Sequence, residues 1–359
     1  LSGPQALLQR RDQINLTYAV EDAKHSDLTL HVQVNQVPVF GQQGLPLKNN
    51  HGTLSIDLTP GRNNIRAYVS TDDGLQSETR FLTYNQADNN RKPALYLLTI
   101  GVSDYADDRL DLRYAAKDAT DLANALGASD QYREVHRFTL LDRQVTARSV
   151  RDAKAFLNQG TAQDHVVVFL AGHGFLDEQD NYFFGTSDID IATPASKGLP
   201  YEDINRLLDG IPSRNKLLML DTCHSGEVTE PVARLELPPG VQSRGLSVRA
   251  QPQSEASPGI SYALLQNAFV DLRASTGAII ISASGGQEFA LETEAIQNGI
   301  FTASVINALT NKRADSNGDG EVTTAELRDF TYREVTRLTN GRQRPTTRKY
   351  NLDIDFAVF

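Results

Sequence analysis

The feature that most constrains the fold is a change of hydrophobic period near residue 90. Before it, apolar residues recur at every second position. Ile14, Leu16, Tyr18 and Val20 share one parity, and so do Leu28, Leu30, Val32 and Val34, with Thr29, His31 and Gln33 between them. Leu54, Ile56 and Leu58 repeat the pattern, as do Ile65, Ala67 and Val69. Side chains of a strand alternate between its two faces, so this is the signature of half-buried antiparallel strands. After residue 94 the apolar residues run continuously: Leu95 to Val102, Val166 to Ala171, Leu217 to Leu220 and Ala278 to Ile281. Such runs suit strands buried on both faces of a largely parallel sheet.

Two domains follow, as a length of 359 residues also implies. Residues 1–88 read as a small all-β sandwich with turns at 41–44, Pro60-Gly61 and Asp72-Asp73-Gly74. It is Ig-like in architecture only, since the chain has one Cys and no Trp to mark a true immunoglobulin domain. No catalytic constellation lies in it, which leaves a spacer or docking module. Residues 86–93 (QADNNRKP) form a polar linker. In residues 94–359 helix-period segments (Tyr114 to Leu126, Val145 to Leu157, Tyr201 to Leu208) alternate with the strands. That alternation predicts an α/β fold, a doubly wound, mostly parallel sheet flanked by helices. Ligands of such sheets bind at the carboxyl ends of the strands. Residues 225–260 carry no periodicity, and a loop that long inside a compact domain is functional or disordered.

Charge and cysteine content exclude several function classes. Lys plus Arg is 35 and Asp plus Glu is 45, a net charge of −10, so nucleic acid is not the expected partner. One cysteine excludes an intramolecular disulfide and a Cys-rich zinc site. No apolar run approaches a membrane span. The chain opens Leu-Ser-Gly-Pro-Gln, without Met or a signal-peptide pattern, and reads as a fragment or processed form. With one cysteine, a cytoplasmic location is favoured.

The single cysteine falls at a telling place. The second apolar run ends in Ala171-Gly172-His173-Gly174, and the third in Asp221-Thr222-Cys223-His224-Ser225-Gly226. Both motifs sit at the carboxyl ends of predicted parallel strands. A thiolate nucleophile needs a base within hydrogen-bond reach, and His173 supplies one if the strands are neighbours. The N–H groups of Gly174 and Cys223 are candidates for an oxyanion hole. His224 is a competing base, but it adjoins the nucleophile in a turn. A lone cysteine is more often an inert buried residue; two glycine-flanked motifs fifty residues apart argue for catalysis. On an extended strand Asp221 shares the face of Cys223 and lends that crevice negative charge.

These stretches resemble the caspase fold of the peptidase C14 family, especially bacterial caspase homologues related to metacaspases, the orthocaspases. The resemblance covers residues 94–359 and rests on LYLLTIGVSDY at 95–105, LRYAAKDA at 112–119, VVVFLAGHG at 166–174, MLDTCHSG at 219–226 and IIISASGGQEFALE at 279–292. It implies an endopeptidase acting on proteins or peptides through a His173–Cys223 dyad, with no cofactor for the chemistry. An Ig-like module ahead of the protease also resembles large bacterial members. Asp118, in LRYAAKDA, matches a second acidic pocket residue. With Asp221 it favours Arg or Lys at P1, which pairs with carboxylates; the alternative for Asp118 is a helix-start carboxylate. Ser282, Ala283 and Ser284 would pair with the substrate backbone. Ala171 departs from the family, which often has Ser there, so one pocket hydrogen bond is expected to be missing. Caspase-like chains are often cut between large and small portions, which corresponds to 225–260, where Arg234, Arg244 and Arg249 are self-cleavage candidates.

One further motif stands near the end. Residues 315–326 (DSNGDGEVTTAE) fit the twelve-residue calcium loop D-x-[DN]-x-[DN]-G-x5-E throughout. Asp315, Asn317 and Asp319 would ligate by side chain, Glu321 by its carbonyl, Thr323 directly or through water, and Glu326 bidentately. Calcium at 315–326 is therefore the one expected metal, although such loops usually come in pairs. An acidic helix-capping turn without metal is the alternative. Competing readings of the whole chain are a catalytically silent caspase-fold scaffold, a calcium-responsive interaction protein, and a cysteine hydrolase with Asp or Asn at P1. The oligomeric state is not legible.

Overall fold

In the computed structural model, β1 (Gln13–Ala19), β2 (Leu28–Val34), β3 (Val37–Pro38), β4 (Leu45–Pro46), β5 (His51–Asp57), β6 (Gly61–Thr71) and β7 (Arg80–Gln86) build the small β domain. The described residues are 12–21, 27–88, 90–179, 181–225, 240–243, 276–284, 290–347 and 354–359, without the side chains of 223–225 and 242. All pairings in this domain are antiparallel: β1 with β5, and β3-β2-β6-β7 with β4 also on β2. The residues of one parity turn inward. Ile14, Leu16, Leu30, Val32, Val34, Ile56, Leu58, Ile65, Ala67 and Tyr84 form a core of their own. Their alternate neighbours face out, as period two requires.

The large domain runs β8 (Ala94–Gly101), α1 (Ala115–Gly127), β9 (Glu134–Leu141), α2 (Ala147–Asp152), α3 (Lys154–Leu157), β10 (His165–Leu176), β11 (Tyr182–Phe184), α4 (Pro194–Lys197), β12 (Leu199–Pro200), α5 (Tyr201–Leu208) and β13 (Asn215–Ser225). After these come β14 (Val241–Ser243), β15 (Ile279–Ser282), β16 (Leu291–Thr293), β17 (Asn298–Gly299), α6 (Ile300–Thr310), α7 (Thr324–Leu338) and β18 (Thr346–Thr347). Strands β9-β8-β10-β13-β15 are parallel in that spatial order, and β18 closes the β15 edge antiparallel. The chain goes outward from β8 to β9, then returns to β10 and proceeds the other way. The order therefore reverses between β8 and β10, where a doubly wound sheet opens its crevice.

The continuous apolar runs now have their reason. Leu98, Ile100, Val168, Leu170, Leu218 and Leu220 pack one face with α2, α3 and α5. Leu95, Leu97, Val167, Phe169, Leu217 and Met219 pack the other with α1, α6 and α7. A strand buried on both faces has no place for alternation. The segment expected as one helix from Val145 divides at Ala153 into α2 and α3. Thr146 caps α2, its hydroxyl accepting the Ser149 N–H at 3.1 Å.

The two domains meet at the amino ends of the strands, away from the crevice. The Gln42 N–H donates to the Asp209 carboxylate at 2.8 Å, and a side chain at Gly277 would collide with Val37. Three cations are sunk near this seam. Lys216 donates to the Leu208 carbonyl at 3.2 Å and Lys154 to the Asp209 carbonyl at 2.8 Å, both at the carboxyl end of α5. Arg214 is buried too, and burial brings its pKa down to about 10.

Lys216 is fully enclosed, and burial, with Arg214 beside it, lowers its pKa to about 7. In the unfolded chain a lysine stays protonated to about pH 10.4. Between those values the unfolded chain holds the extra proton, so this group makes stability rise with pH from about 7 to about 10. Below pH 7 both states are charged and its slope vanishes. At about 1.4 kcal/mol per pKa unit, less about 1–2 kcal/mol for the lost hydrogen bond, Lys216→Met stabilises by about 3 kcal/mol at pH 7. That is on the order of 6–12 °C in melting temperature. Thermal melts from pH 6 to 10 check this; the same pH slope in both proteins would count against it.

Candidate active site

The site is built at the point where β10 outruns β8. Pairing of β8 with β10 ends at Gly101 and Ala171, whereas pairing of β10 with β13 continues to Phe175 and Ser225. In that extension His173 stands in register with Cys223. Adjacent strands lie about 4.8 Å apart, so the two motifs that end separate apolar runs become side-by-side neighbours. The backbones of His224 and Ser225 continue the strand beyond Cys223.

The loop after β8 fills the space that β8 vacates and fixes His173. Its Nε2 lies 2.8 Å from the Leu110 carbonyl, which can only accept, so the proton sits on Nε2. The His173 backbone N–H donates to the Tyr105 hydroxyl at 3.0 Å. The rings of Tyr105 and Phe175 flank the imidazole at 5.3 and 5.9 Å between centroids. His173 is 3% exposed. Gly172 is needed for this closeness: a Cβ there would meet the Tyr105 hydroxyl at 3.0 Å and Phe184 at 3.1 Å. Sequence reasoning missed Tyr105 and Leu110. The tyrosine follows an apolar strand at the switch point, a usable signal; Leu110 acts through its carbonyl, which no side-chain pattern reveals.

The two acidic residues converge on the start of α6. Asp221 lies two residues before Cys223, is wholly buried, and accepts the Thr302 hydroxyl at 2.6 Å. Asp118 sits in the first turn of α1, as a helix-start carboxylate would. Its side chain nonetheless turns to α6: it accepts Asn298 Nδ2 at 2.7 Å and the Gly299 N–H at 3.1 Å. Helix α6 is thus pinned at its positive end by two carboxylates. Asn298, Gly299 and Thr302 were not foreseen, since nothing in the sequence pairs them with Asp118 or Asp221 across such a span.

The other expected residues are placed as follows. Gly174 lies inside the ladder, opposite Phe184 of β11 and His224 of β13. Ser282 is already paired on both edges, with Leu220 of β13 and Thr346 of β18. Ala283 N–H donates to the Leu220 carbonyl at 2.8 Å, and the Ser284 hydroxyl lies 3.4 Å from the Thr222 carbonyl. Arg234, Arg244 and Arg249 lie outside the described residues.

The 315–326 loop joins α6 to α7. Asp315 accepts the N–H groups of Gly318 at 2.7 Å and Gly320 at 3.0 Å; Asn317 accepts that of Asp319, and Asp319 that of Glu321. Glu326 bridges the two ends of the loop. It accepts the Ser316 N–H at 2.9 Å and hydroxyl at 2.8 Å, and the Thr323 N–H at 3.1 Å, the reciprocal half of a capping box. Burial pulls its pKa up, but these donors outweigh burial and hold the carboxyl below its ordinary range. Among the described residues no group of three His, Cys, Asp or Glu stands close enough to hold a metal ion. The Val322 N–H donates to the Phe359 carbonyl at 2.7 Å, and the Val322 carbonyl accepts the Val358 N–H at 2.8 Å.

No helix among the described residues is long and apolar enough to cross a membrane. No curated protein sequence matches the chain. Of solved structures, protein GSU0716 from Geobacter sulfurreducens is similar at 19% identity over 71% of this chain and 93% of its own, with a TM-score of 0.48. Fibronectin(III)-like modules of Clostridium thermocellum CbhA are similar at 13% identity over 24% of this chain and 96% of theirs, with a TM-score of 0.21. The model of the caspase domain, peptidase C14, matches residues 95–356, the span that holds the parallel sheet, the ends of β10 and β13 and both buried carboxylates. The chain belongs to the caspase-domain family.

Proposed function

We propose that this chain is a cysteine endopeptidase of the metacaspase type, preceded by an Ig-like module, that cleaves after Arg or Lys. The observation that carries the reading is the register of His173 with Cys223 at the crevice end of the sheet. The Leu110 carbonyl supports it by holding the Nε2 proton, which leaves Nδ1 as the base. His173 takes the thiol proton of Cys223, and the sulfur attacks the scissile carbonyl carbon. The developing oxyanion is held by the N–H groups of Cys223 and Gly174. The C–N bond breaks as His173 returns its proton to the leaving amine, giving a thioester. Water, deprotonated by the same imidazole, attacks the thioester carbon and releases acid and thiol. Asp118 and Asp221 receive the basic P1 side chain. The enzyme also cuts itself after Arg234, Arg244 or Arg249.

Hydrolysis of fluorogenic peptides with Arg, Lys or Asp at P1, beside Cys223→Ala, tests this. Turnover of the basic peptides alone supports it. Cleavage of the Asp peptide alone sinks the pocket assignment, and an unreactive Cys223 thiol sinks the enzyme.

We propose in addition that residues 315–326 take calcium. The donor set is all oxygen, as a hard cation requires, with Asp315, Asn317, Asp319, the Glu321 carbonyl and Thr323 as ligands and Glu326 recruited from its cap. Calcium supplies charge and loop order here, not chemistry. The weak end of the range for such loops is about 10⁻⁴–10⁻³ M. At 10 mM calcium the stabilisation is then on the order of 1.4–2.7 kcal/mol, a rise of a few degrees in melting temperature. Glu326→Gln keeps a capping acceptor but loses the charge, and its melting temperature stays flat. Calorimetry with calcium alone checks binding directly, and absence of heat with the wild type would remove the site.

A further inference from the structure

We infer that Gln343 is a positioning residue for the peptidase site: it holds the strand end Ala283–Ser284 and the hairpin β16–β17 together as the wall beside Cys223. The inference rests on the peptidase reading above. Gln343 is fully buried, an unusual place for a primary amide. Both ends of that amide are used. Nε2 donates to the Ala283 carbonyl at 3.0 Å, and Oε1 accepts the Leu291 N–H at 3.1 Å. A primary amide carries the same donor and acceptor as a peptide group. Gln343 therefore stands as an added rung between two strands that do not pair with each other.

What it joins gives the rung its meaning. Ala283 is bonded through its N–H to Leu220, three residues before Cys223, and Ser284 reaches the Thr222 carbonyl. Leu291 begins the hairpin whose second strand carries Asn298 and Gly299, the donors to Asp118. One side chain thus ties the backbone beside the nucleophile to the near strand of that hairpin, while Asn298 and Gly299 hold Asp118 from the far strand. Gln343 is itself held from α7. Its N–H donates to the Thr339 hydroxyl at 3.1 Å, and Thr339 N–H closes on the Val335 carbonyl at 3.0 Å. No carboxylate or hydroxyl could replace it. A carboxylate offers no donor to Ala283, and a hydroxyl cannot reach both strands.

The test compares two substrates with Arg at P1, a tetrapeptide amide and a single-residue amide, in wild type, Gln343→Met and Gln343→Glu. Met removes both bonds; Glu keeps the acceptor for Leu291 and loses the donor to Ala283. The expected result is a rise in KM of tenfold or more for the tetrapeptide in both variants, with kcat falling less than threefold. The single-residue amide and the rate of Cys223 alkylation by iodoacetamide should stay within twofold. An unchanged tetrapeptide KM in a folded variant overturns the inference. A parallel fall on both substrates and in alkylation shows a merely structural role and overturns it too, as does failure of both variants to fold. A wild type that cleaves neither substrate and whose Cys223 resists alkylation overturns the peptidase reading itself, and this inference with it.

Discussion

Cys223→Ala abolishes turnover of basic-P1 peptides, and His173→Ala lowers kcat by about 10⁴–10⁶-fold, the scale of losses when one member of a nucleophile–base unit is removed. The two losses are not additive, because the thiolate and its base act in one step. The double variant should therefore be no worse than the poorer single one. Both variants keep the fold. His173 is not part of the two apolar clusters, and its ring meets Tyr105, Phe175 and the Leu110 carbonyl. On the proposed self-cleavage, Cys223→Ala should also leave the chain as one band. The measurement is initial rate on an Arg-P1 peptide, with circular dichroism to confirm the fold. A Cys223→Ala protein with a tenth of the wild-type rate would remove the dyad. Retention of rate in His173→Ala alone would instead transfer the base to His224.

The fold was readable because both domains announce themselves by hydrophobic period. Continuous runs at 95–102, 166–171, 217–220 and 278–281 lie within or alongside the observed β8, β10, β13 and β15. Strand β9 was not readable. It sits at the sheet edge, and EVHRFTLL mixes charge with apolar residues because only part of it is covered. The short strands β11, β12 and β16–β18 are two or three residues long, too brief to show any period. At the site, the motifs ending β10 and β13 were legible because glycine, histidine and cysteine are rare at the end of an apolar run. Tyr105, Leu110, Asn298, Thr302 and Gln343 were not. Each acts through a contact across many residues, and for Leu110 through a backbone atom. The 315–326 loop was legible as a motif. That residues 358–359 bond with Val322 is tertiary structure, which a local pattern does not contain.

On the proposed function, Asp221→Asn separates the charge of the P1 pocket from its shape. The amide is isosteric and can still accept the Thr302 hydroxyl through its oxygen, so the end of β13 and the start of α6 stay joined. What disappears is a buried negative charge two residues from the nucleophile. Truncating one partner of a buried, hydrogen-bonded charge pair costs about 2–5 kcal/mol, which is roughly 30-fold to several thousandfold in kcat/KM. The loss falls on KM, because the P1 side chain is gripped equally in ground state and transition state. Arg should lose more than Lys, since a planar guanidinium makes two parallel bonds to a carboxylate and a point charge does not. Asp118→Asn is the informative contrast. Its carboxylate also accepts Gly299 N–H and Asn298 Nδ2, so the change loosens α6 and lowers the melting temperature as well as kcat/KM. Steady-state kinetics on Arg- and Lys-P1 peptides, with a melt of each variant, decide between them. An Asp221→Asn enzyme with unchanged KM for Arg would show that the charge beside Cys223 serves α6 alone, and the pocket acid would then have to be sought elsewhere.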